Sequence, residues 1–411
     1  MIEWNKYLLP MLAGDELRAA LLDLPEYQES IREEAIAIRL LALSNIYKIY
    51  VPQVMSVEIY FKLFTAMLMS LNKKETRDAI LQQKNNFLGA RKGEFRGIIG
   101  GSDSFSIIGK SGIGKSSAIE KAISLITGDK VIEIDMPHIM IIPILQVQCP
   151  FDCSSKSLLL EILWAVDDHI GSNYYRSGTR TGVTVDTLVG LVSQVALNHI
   201  GLLIIDEIQN VVKSKKGGLL VGLLMQLINT SGISICMVGT PESAIFFESE
   251  MQLARRSLGL KYFALGLEDY FADFCRVLFK FQYTKYKSEL TDEIINWLFE
   301  HSQGVVAIVV SLVHDAQEIA IIKEIESIDI ETLSMAYDER MGMLHSRVSL
   351  DKKRKSQTSV RGKTKIVVPA KVDSFAADIK SLADAVEYSK SNDLDAVNTL
   401  MQMVTVEVVR I

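Results

Sequence analysis

The sequence predicts an α/β protein: a mainly parallel sheet covered by helices on both faces, with a helical region before it and a helical lid after it. Three observations carry this prediction. Between residues 104 and 267, short apolar runs alternate with longer segments of helical period, the pattern of strands buried on both faces and joined by crossover helices. The octapeptide Gly109-Lys110-Ser111-Gly112-Ile113-Gly114-Lys115-Ser116 lies between one such run, 105–108, and a helix-like segment, 116–126. A second run, 202–205, ends in Asp206 and Glu207, which places two carboxylates at the C-terminal end of a central strand, where open α/β sheets bind their ligands.

Taken in order, residues 15–81 read as several helices with an apolar, aromatic stretch around Tyr47, Tyr50, Tyr60 and Phe64, which Pro52 should break in two. Residues 82–103 turn to Lys, Arg, Gly and Asn and read as a surface lead-in. The expected strands are 105–108, 131–134, 139–148, 202–205, 233–238 and 262–265. From 268 to about 343 the chain reads as helical, with Ser302-Gln303-Gly304 as a turn between helices. The basic, Ser/Thr-rich stretch from Lys352 to Lys365 reads as an exposed tether, and a last helical unit follows Pro369. The division predicted is a helical N-terminal partner-binding region (1–85), a nucleotide-binding core (86–267), a helical lid (268–345), a basic linker (346–370) and a C-terminal helical partner-binding segment (371–411). No internal repeat is visible.

With 411 residues the chain is long enough for two or three domains. Forty-four basic against fifty acidic residues give a net charge of −6, so no global basic field marks a nucleic-acid binder, and any DNA contact must come from local patches. Cys149, Cys153, Cys236 and Cys275 show no paired metal-ligand spacing and read as reduced core thiols of a cytoplasmic protein. Zinc is not expected at Cys149-Pro150-Phe151-Asp152-Cys153, because no second ligand pair accompanies it. The N-terminus lacks the pattern of a signal peptide. The apolar stretch 305–322 contains His314, Asp315 and Glu318, which argues for a buried helix over a membrane span.

The octapeptide is a phosphate-binding loop. Gly109, Gly112 and Gly114 let the backbone curl around Ile113, so that successive N–H groups and the helix N-terminus, through Ser116 and Ser117, point at phosphate oxygens. Lys115 neutralises the outer phosphates and the Ser116 hydroxyl is a magnesium ligand. Asp206 would complete the magnesium site, and Glu207 would polarise the attacking water. ATP and magnesium are therefore the expected cofactors. Thr240, at the end of the next strand, is a candidate sensor of the γ-phosphate, or the cap of a helix beginning at Pro241, or both. Arg255 and Arg256 close that helix, where a cation also favours the dipole; one of them is a candidate arginine finger toward a neighbouring subunit. For DNA the candidates are Lys213, Lys215 and Lys216 after the Asp-Glu strand, and Arg176 and Arg180 in the loop 171–182, beside Tyr174 and Tyr175. The plain alternative for each of these cations is solvated surface.

With these residues in place, the chain resembles the AAA+ ATPases of the TnsC type, regulators of Tn-seven-like DNA transposition related to the TniB and MuB target-selection ATPases. The resemblance rests on GKSGIGKSS (109–117), CPFDCSSKSL (149–158), GLLIIDEIQN (201–210), GTPE (239–242) and ARRSLG (254–259). It implies an AAA+ phosphate-loop ATPase that assembles on double-stranded DNA as a ring or filament of identical subunits. Such a protein answers a target-selection protein or RNA-guided complex and activates the transposase subunits. It also implies that Lys115, Ser116, Asp206, Glu207 and Thr240 take the phosphate-loop, magnesium, water-activating and sensing roles. Two departures stand out: Gly304-Val305-Val306-Ala307 lacks the arginine many AAA+ lids carry there, and Ser116-Ser117 replaces the usual pair of threonines. The rival readings are a STAND-like signalling ATPase, which would need a long repeat array after the lid, and a replication-initiator-type ATPase, which would need a winged-helix domain there.

Overall fold

In a computed structural model, residues 4–92, 97, 99, 104–128, 130–134, 139–152, 154–210, 217–243, 259–267 and 269–340 are described. The tether and the C-terminal helical segment expected beyond residue 345 lie outside them. Six strands form one sheet: β1 (Phe105–Gly109), β2 (Ile132–Ile134), β3 (Ile139–Gln148), β4 (Ile200–Asp206), β5 (Ser234–Gly239) and β6 (Leu260–Tyr262), in the order β2-β3-β4-β5-β1-β6. The pairings β3–β4, β4–β5, β5–β1 and β1–β6 are parallel, whereas β2 runs antiparallel to β3. One strand, β5, thus separates the phosphate-loop strand from the Asp-Glu strand.

The sheet is central because its inner strands β1, β4 and β5 are buried throughout. All seven residues of β4 are buried, and alternate side chains enter opposite cores. Leu203 and Ile205 pack with α6 (Ser155–Ile170), α8 (Val185–His199) and α9 (Gly217–Ser231) on one face. Leu202 and Ile204 pack with α1 (Gly14–Leu21), α3 (Val54–Lys74) and α5 (Lys115–Thr127) on the other. Each such side chain contributes roughly 1.5–3 kcal/mol by leaving water. Helix α3 is long and apolar enough to cross a bilayer. Its residues Ile59, Tyr60, Leu63, Met67 and Leu71, however, are buried in the second core.

A third core is formed by α10 (Asp269–Leu278), α11 (Asp292–Ser302), α12 (Val306–Ile322) and α13 (Ile330–Arg340). It holds the apolar stretch around 305–322 as a buried helix. Gln303 (φ 53°) and Gly304 (φ 73°) make the expected turn between α11 and α12 in the left-handed region.

The N-terminal helices divide between two cores. While α1 and α3 join the sheet, Leu43, Ile46 and Ile49, from the end of α2 (Ile36–Leu43) onward, join the lid, with Tyr27, Ile31 and Leu40 packed alongside. Arg39 of α2 is buried and forms a bidentate ion pair with Glu326 (2.6 and 2.7 Å). Residues 50–53, including Pro52, cross from one core to the other.

Three expectations are corrected. The lead-in expected from residue 82 is helical as far as Lys92, because α4 spans Arg77–Lys92 and packs on α8. The final strand is Leu260–Tyr262 and not 262–265: its pairing with β1 ends at Gly109–Tyr262, and Phe263 is 83% exposed. The loop 171–182 contains a short helix, α7 (Tyr174–Gly178), started by the Asp167 carboxylate, which accepts the Tyr174 and Tyr175 N–H groups at 2.8 Å.

Candidate nucleotide-binding and hydrolysis site

β1 delivers the chain to Gly109, after which the backbone takes positive φ at Gly112 (81°) and Gly114 (97°) and enters α5 at Lys115. A Cβ on Gly109 would lie 2.6 Å from Ile113 Cδ1 and 3.0 Å from the Tyr262 carbonyl oxygen, so this position admits no side chain. Ile113, buried at the loop's crest, anchors it to the second core. The Lys115 ammonium donates to the carbonyls of Gly109 (2.7 Å) and Lys110 (2.8 Å), spanning the loop's concave side. Burial pushes its pKa below the usual lysine value, while the charges of Asp206 and Glu207 act the other way. Ser116 and Ser117 are exposed in the first turn of α5.

Asp206 is the last residue of β4, 9% exposed, and its carboxylate accepts the Glu207 N–H (2.7 Å). Glu207 leaves the strand with φ 57°, a left-handed conformation unusual for a residue with a side chain. The turn is fixed on both sides. Ile208 N–H donates to the Val238 carbonyl of β5 (2.9 Å), and the Asp206 carbonyl accepts Cys149 N–H (2.8 Å) while Asn210 Nδ2 donates to the Cys149 carbonyl (3.1 Å). The beginning of the Cys-Pro segment is thereby bound to the Asp-Glu turn, which gives this pair of motifs a common structural reason.

Thr240 follows β5 and opens a 3-10 turn, Pro241–Ser243, whose Ser243 N–H donates to the Thr240 carbonyl at 3.0 Å. Its hydroxyl donates to Glu242. Between Thr240 and Glu207 lies Gln209, a residue present in the motif but given no role by sequence reasoning. Its Nε2 donates to a Glu207 carboxylate oxygen, and its Oε1 accepts the Thr240 N–H at 3.2 Å.

These groups line one cavity of about 640 Å³, within the usual range for ligand pockets. Of the residues singled out in the sequence, Gly112, Gly114, Lys115, Ser116, Ser117, Asp206, Glu207 and Thr240 meet there together with Ser111, whereas Gly109 and Ile113 of the loop do not line it. The remaining walls were not visible in the motifs: Tyr50, Val51 and Gln53 come from the N-terminal crossing, and Val306, Ala307 and Val310 from the lid. The lid touches the phosphate loop directly, with Ala307 N–H donating to the Gly112 carbonyl (3.0 Å). Where many AAA+ lids place an arginine, this chain presents the N-terminus of α12 and an apolar face.

Other candidates lie elsewhere. Arg176 on α7 and Arg180 beyond it are exposed and do not line the cavity; Tyr175 beside them is 40% exposed, whereas the Tyr174 hydroxyl bonds His199 Nε2 (3.0 Å). Arg255, Arg256, Lys213, Lys215 and Lys216 lie outside the described residues.

Among solved structures, the Orc1 protein of Aeropyrum pernix in complex with DNA is 16% identical, with a TM-score of 0.43 over 80% of this chain and 79% of that one. The Drosophila ORC bound to DNA is 12% identical, with a TM-score of 0.41 over 96% of this chain and 87% of that one. At such scores these likenesses carry no argument about chemistry or partners. A search of curated proteins returned no match. Sequence comparison with protein families gives the decisive result, because it falls on the segment that holds the loop, the Asp-Glu turn and Thr240. Over residues 101–262, which carry the phosphate loop and the Asp-Glu turn, this chain matches the bacterial TniB protein family, one of the families named from the motifs.

Proposed function

We propose that this protein is an ATP-hydrolysing, DNA-binding AAA+ regulator of DNA transposition. In this reading it assembles on duplex target DNA, links a target-selection protein or RNA-guided complex to the transposase, and is switched by hydrolysis. The observation that carries the proposal is the convergence of Lys115, Ser116, Asp206, Glu207 and Thr240 on one cavity in a segment that matches the TniB family.

The donor set suits a magnesium nucleotide. The Ser116 hydroxyl and the Asp206 carboxylate are hard oxygen ligands at the mouth of a loop of backbone N–H groups, and a bound magnesium ion would offset phosphate charge there. Lys115, now satisfied by two loop carbonyls, exchanges them for phosphate oxygens. Glu207 polarises the attacking water and Thr240 reads the γ-phosphate end. The adenine base is assigned to the apolar side chains Tyr50, Val51, Val306 and Val310, which line the same cavity. Arg255 or Arg256 supplies the finger across a subunit boundary, so that ATP joins neighbours in a ring or filament. Arg176, Arg180, Lys213, Lys215 and Lys216 track the DNA phosphates. The N-terminal region (1–85) and the C-terminal segment (371–411) bind partners, the core (86–267) and lid (268–345) hold the nucleotide, and 346–370 is a basic linker, in a cytoplasmic protein.

The test is DNA binding with and without ATP, measured by fluorescence anisotropy of a labelled duplex. Lys115→Ala should abolish the ATP-dependent part, and Glu207→Gln should hold the protein on DNA with ATP bound. Equal DNA affinity and equal oligomeric state with and without nucleotide would sink the proposal.

A further inference from the structure

We infer that Gln209 is a positioning residue for ATP hydrolysis: its side-chain amide ties the Glu207 carboxylate to the Thr240 backbone, so that the water-polarising group and the γ-phosphate-reading group are held as one unit. This inference rests on the ATPase reading of the site. Its physical basis is the bonding capacity of a primary amide. On one planar group it carries a donor and an acceptor pointing in different directions. Gln209 uses both: Nε2 donates to Glu207 and Oε1 accepts Thr240 N–H at 3.2 Å. It is 9% exposed, so water competes little for either bond.

The surroundings are shaped for this bridge. Glu207 stands outside the strand ladder at φ 57°, and Gln209 is the side chain found holding its carboxylate. Ile208 between them is fully buried and bonds β5 through its N–H, which fixes the backbone from which Gln209 projects. On the far side, Gly239 leaves room for it. A Cβ there would lie 3.1 Å from Gln209 Oε1, 2.7 Å from Ile208 Cγ2 and 2.7 Å from Ser243 Oγ. The bare backbone at the end of β5 is therefore what lets the amide lie across from the Asp-Glu turn to the Thr240 turn. Any displacement of Thr240 on meeting a γ-phosphate is transmitted to the Glu207 carboxylate through a single side chain. A group that orients a reacting group from behind is worth about tenfold to a hundredfold in activity.

The experiment measures ATP turnover of the full chain with duplex DNA present, together with affinity for a fluorescent ATP analogue. The proteins compared are the wild type, Gln209→Met, Gln209→Glu, Glu207→Gln and the double variant Glu207→Gln/Gln209→Met. Methionine fills the space with neither bond; glutamate keeps the acceptor for Thr240 N–H but loses the donor to Glu207 and sets a like charge against it. Both single changes at 209 should lower kcat about tenfold to a hundredfold, with KM and analogue affinity within about twofold. The double variant should be no slower than Glu207→Gln alone, because Gln209 acts through Glu207. If Gln209→Met fails to fold, Gln209→Glu decides by the same split. Wild-type kcat in either 209 variant, a loss confined to KM, or a full additional loss in the double variant would overturn the inference while leaving the ATPase reading intact. A wild type without ATP turnover, or a Glu207→Gln variant as fast as wild type, would sink that reading itself and this inference with it.

Discussion

Removing the guanidinium of Arg39 should loosen the lid from the N-terminal region, because this ion pair is buried and bidentate. The two side chains are only 5% and 12% exposed, and the contacts at 2.6 and 2.7 Å are joined by a third bond from Arg39 to the Tyr283 carbonyl at 3.2 Å. Glu326 also accepts the Lys285 N–H at 2.9 Å, so its carboxylate cannot swing out to water without giving up its bond to the segment that follows α10. Truncating one partner of such a pair costs about 3–5 kcal/mol, since the other charge is left buried alone. Arg39→Met, Glu326→Gln and the double variant form a cycle. Denaturant unfolding can be followed by the fluorescence of Trp297, which stacks on His301 within the lid at 3.8 Å. The expected coupling is about 2 kcal/mol or more, against under about 1 kcal/mol for an exposed pair. The pH dependence has a definite sign. The hydrogen bond from Arg39 is the largest cause holding the Glu326 carboxyl below its usual value of 4.5. The pair's contribution is thus full above about pH 4.5 and is lost as pH falls through the lower folded value. The stability gap between wild type and Arg39→Met should narrow in acid. A coupling no larger than that of a surface pair, or a gap constant down to pH 3, would refute this reasoning.

Two further outcomes are expected. Lys74 is buried, donates to the Ala196 (2.8 Å) and Leu197 (2.5 Å) carbonyls at the end of α8, and is lowered by burial to about 7. Between there and the unfolded value near 10.5 the unfolded chain binds the extra proton, so stability rises with pH relative to Lys74→Met; parallel pH profiles of the denaturation midpoint would count against this. Gly304→Ala should destabilise the lid by at least about 1–2 kcal/mol from positive φ alone. The added Cβ would also lie 1.9 Å from the Leu265 carbonyl oxygen, so an unchanged melting temperature and ATP KM would contradict the packing described.

The sheet was legible because its inner strands are buried on both faces and therefore read as continuous apolar runs; β3 and β4 are found where the runs lie. The run 262–265 is equally apolar, yet Leu265 N–H donates to the Gly304 carbonyl of the lid instead of to a strand. Local pattern cannot tell a ladder partner from a lid contact. The polar face of α4 misled in the opposite sense. Gln82 and Asn86 read as surface, but Gln82 donates to Asn86 (2.9 Å) and Asn86 to the Thr230 carbonyl (2.9 Å), a buried chain of bonds that holds the helix on the core. Cys149, Cys236 and Cys275 are the buried thiols expected, with Cys275 pushed up to about 12 by burial, and Cys153 lies outside the described residues. At the site, the phosphate loop and the Asp-Glu turn were legible because their backbone demands fix residue types at short spacing. The cavity walls supplied by the crossing and by α12, and the bridge made by Gln209, depend on partners brought from distant parts of the chain, and no short spacing encodes those.

The division of the N-terminal region between two cores bears on how the cavity works. Leu43, Ile46 and Ile49, just before the crossing, are buried with the lid, α1 and α3 are buried with the sheet, and the crossing itself lines the cavity through Tyr50, Val51 and Gln53. α12, which also lines the cavity, meets the phosphate loop through the bond from Ala307 N–H to the Gly112 carbonyl. A nucleotide that fills this space contacts sheet, lid and crossing together. A ligand shifts a conformational balance only by its difference in affinity between states, and here that difference lies in contacts available only when all three walls are assembled. Weakening the lid at Arg39 should therefore lower ATP affinity without touching a residue of the cavity, and Lys115→Ala should remove the stabilisation of the lid that ATP otherwise provides.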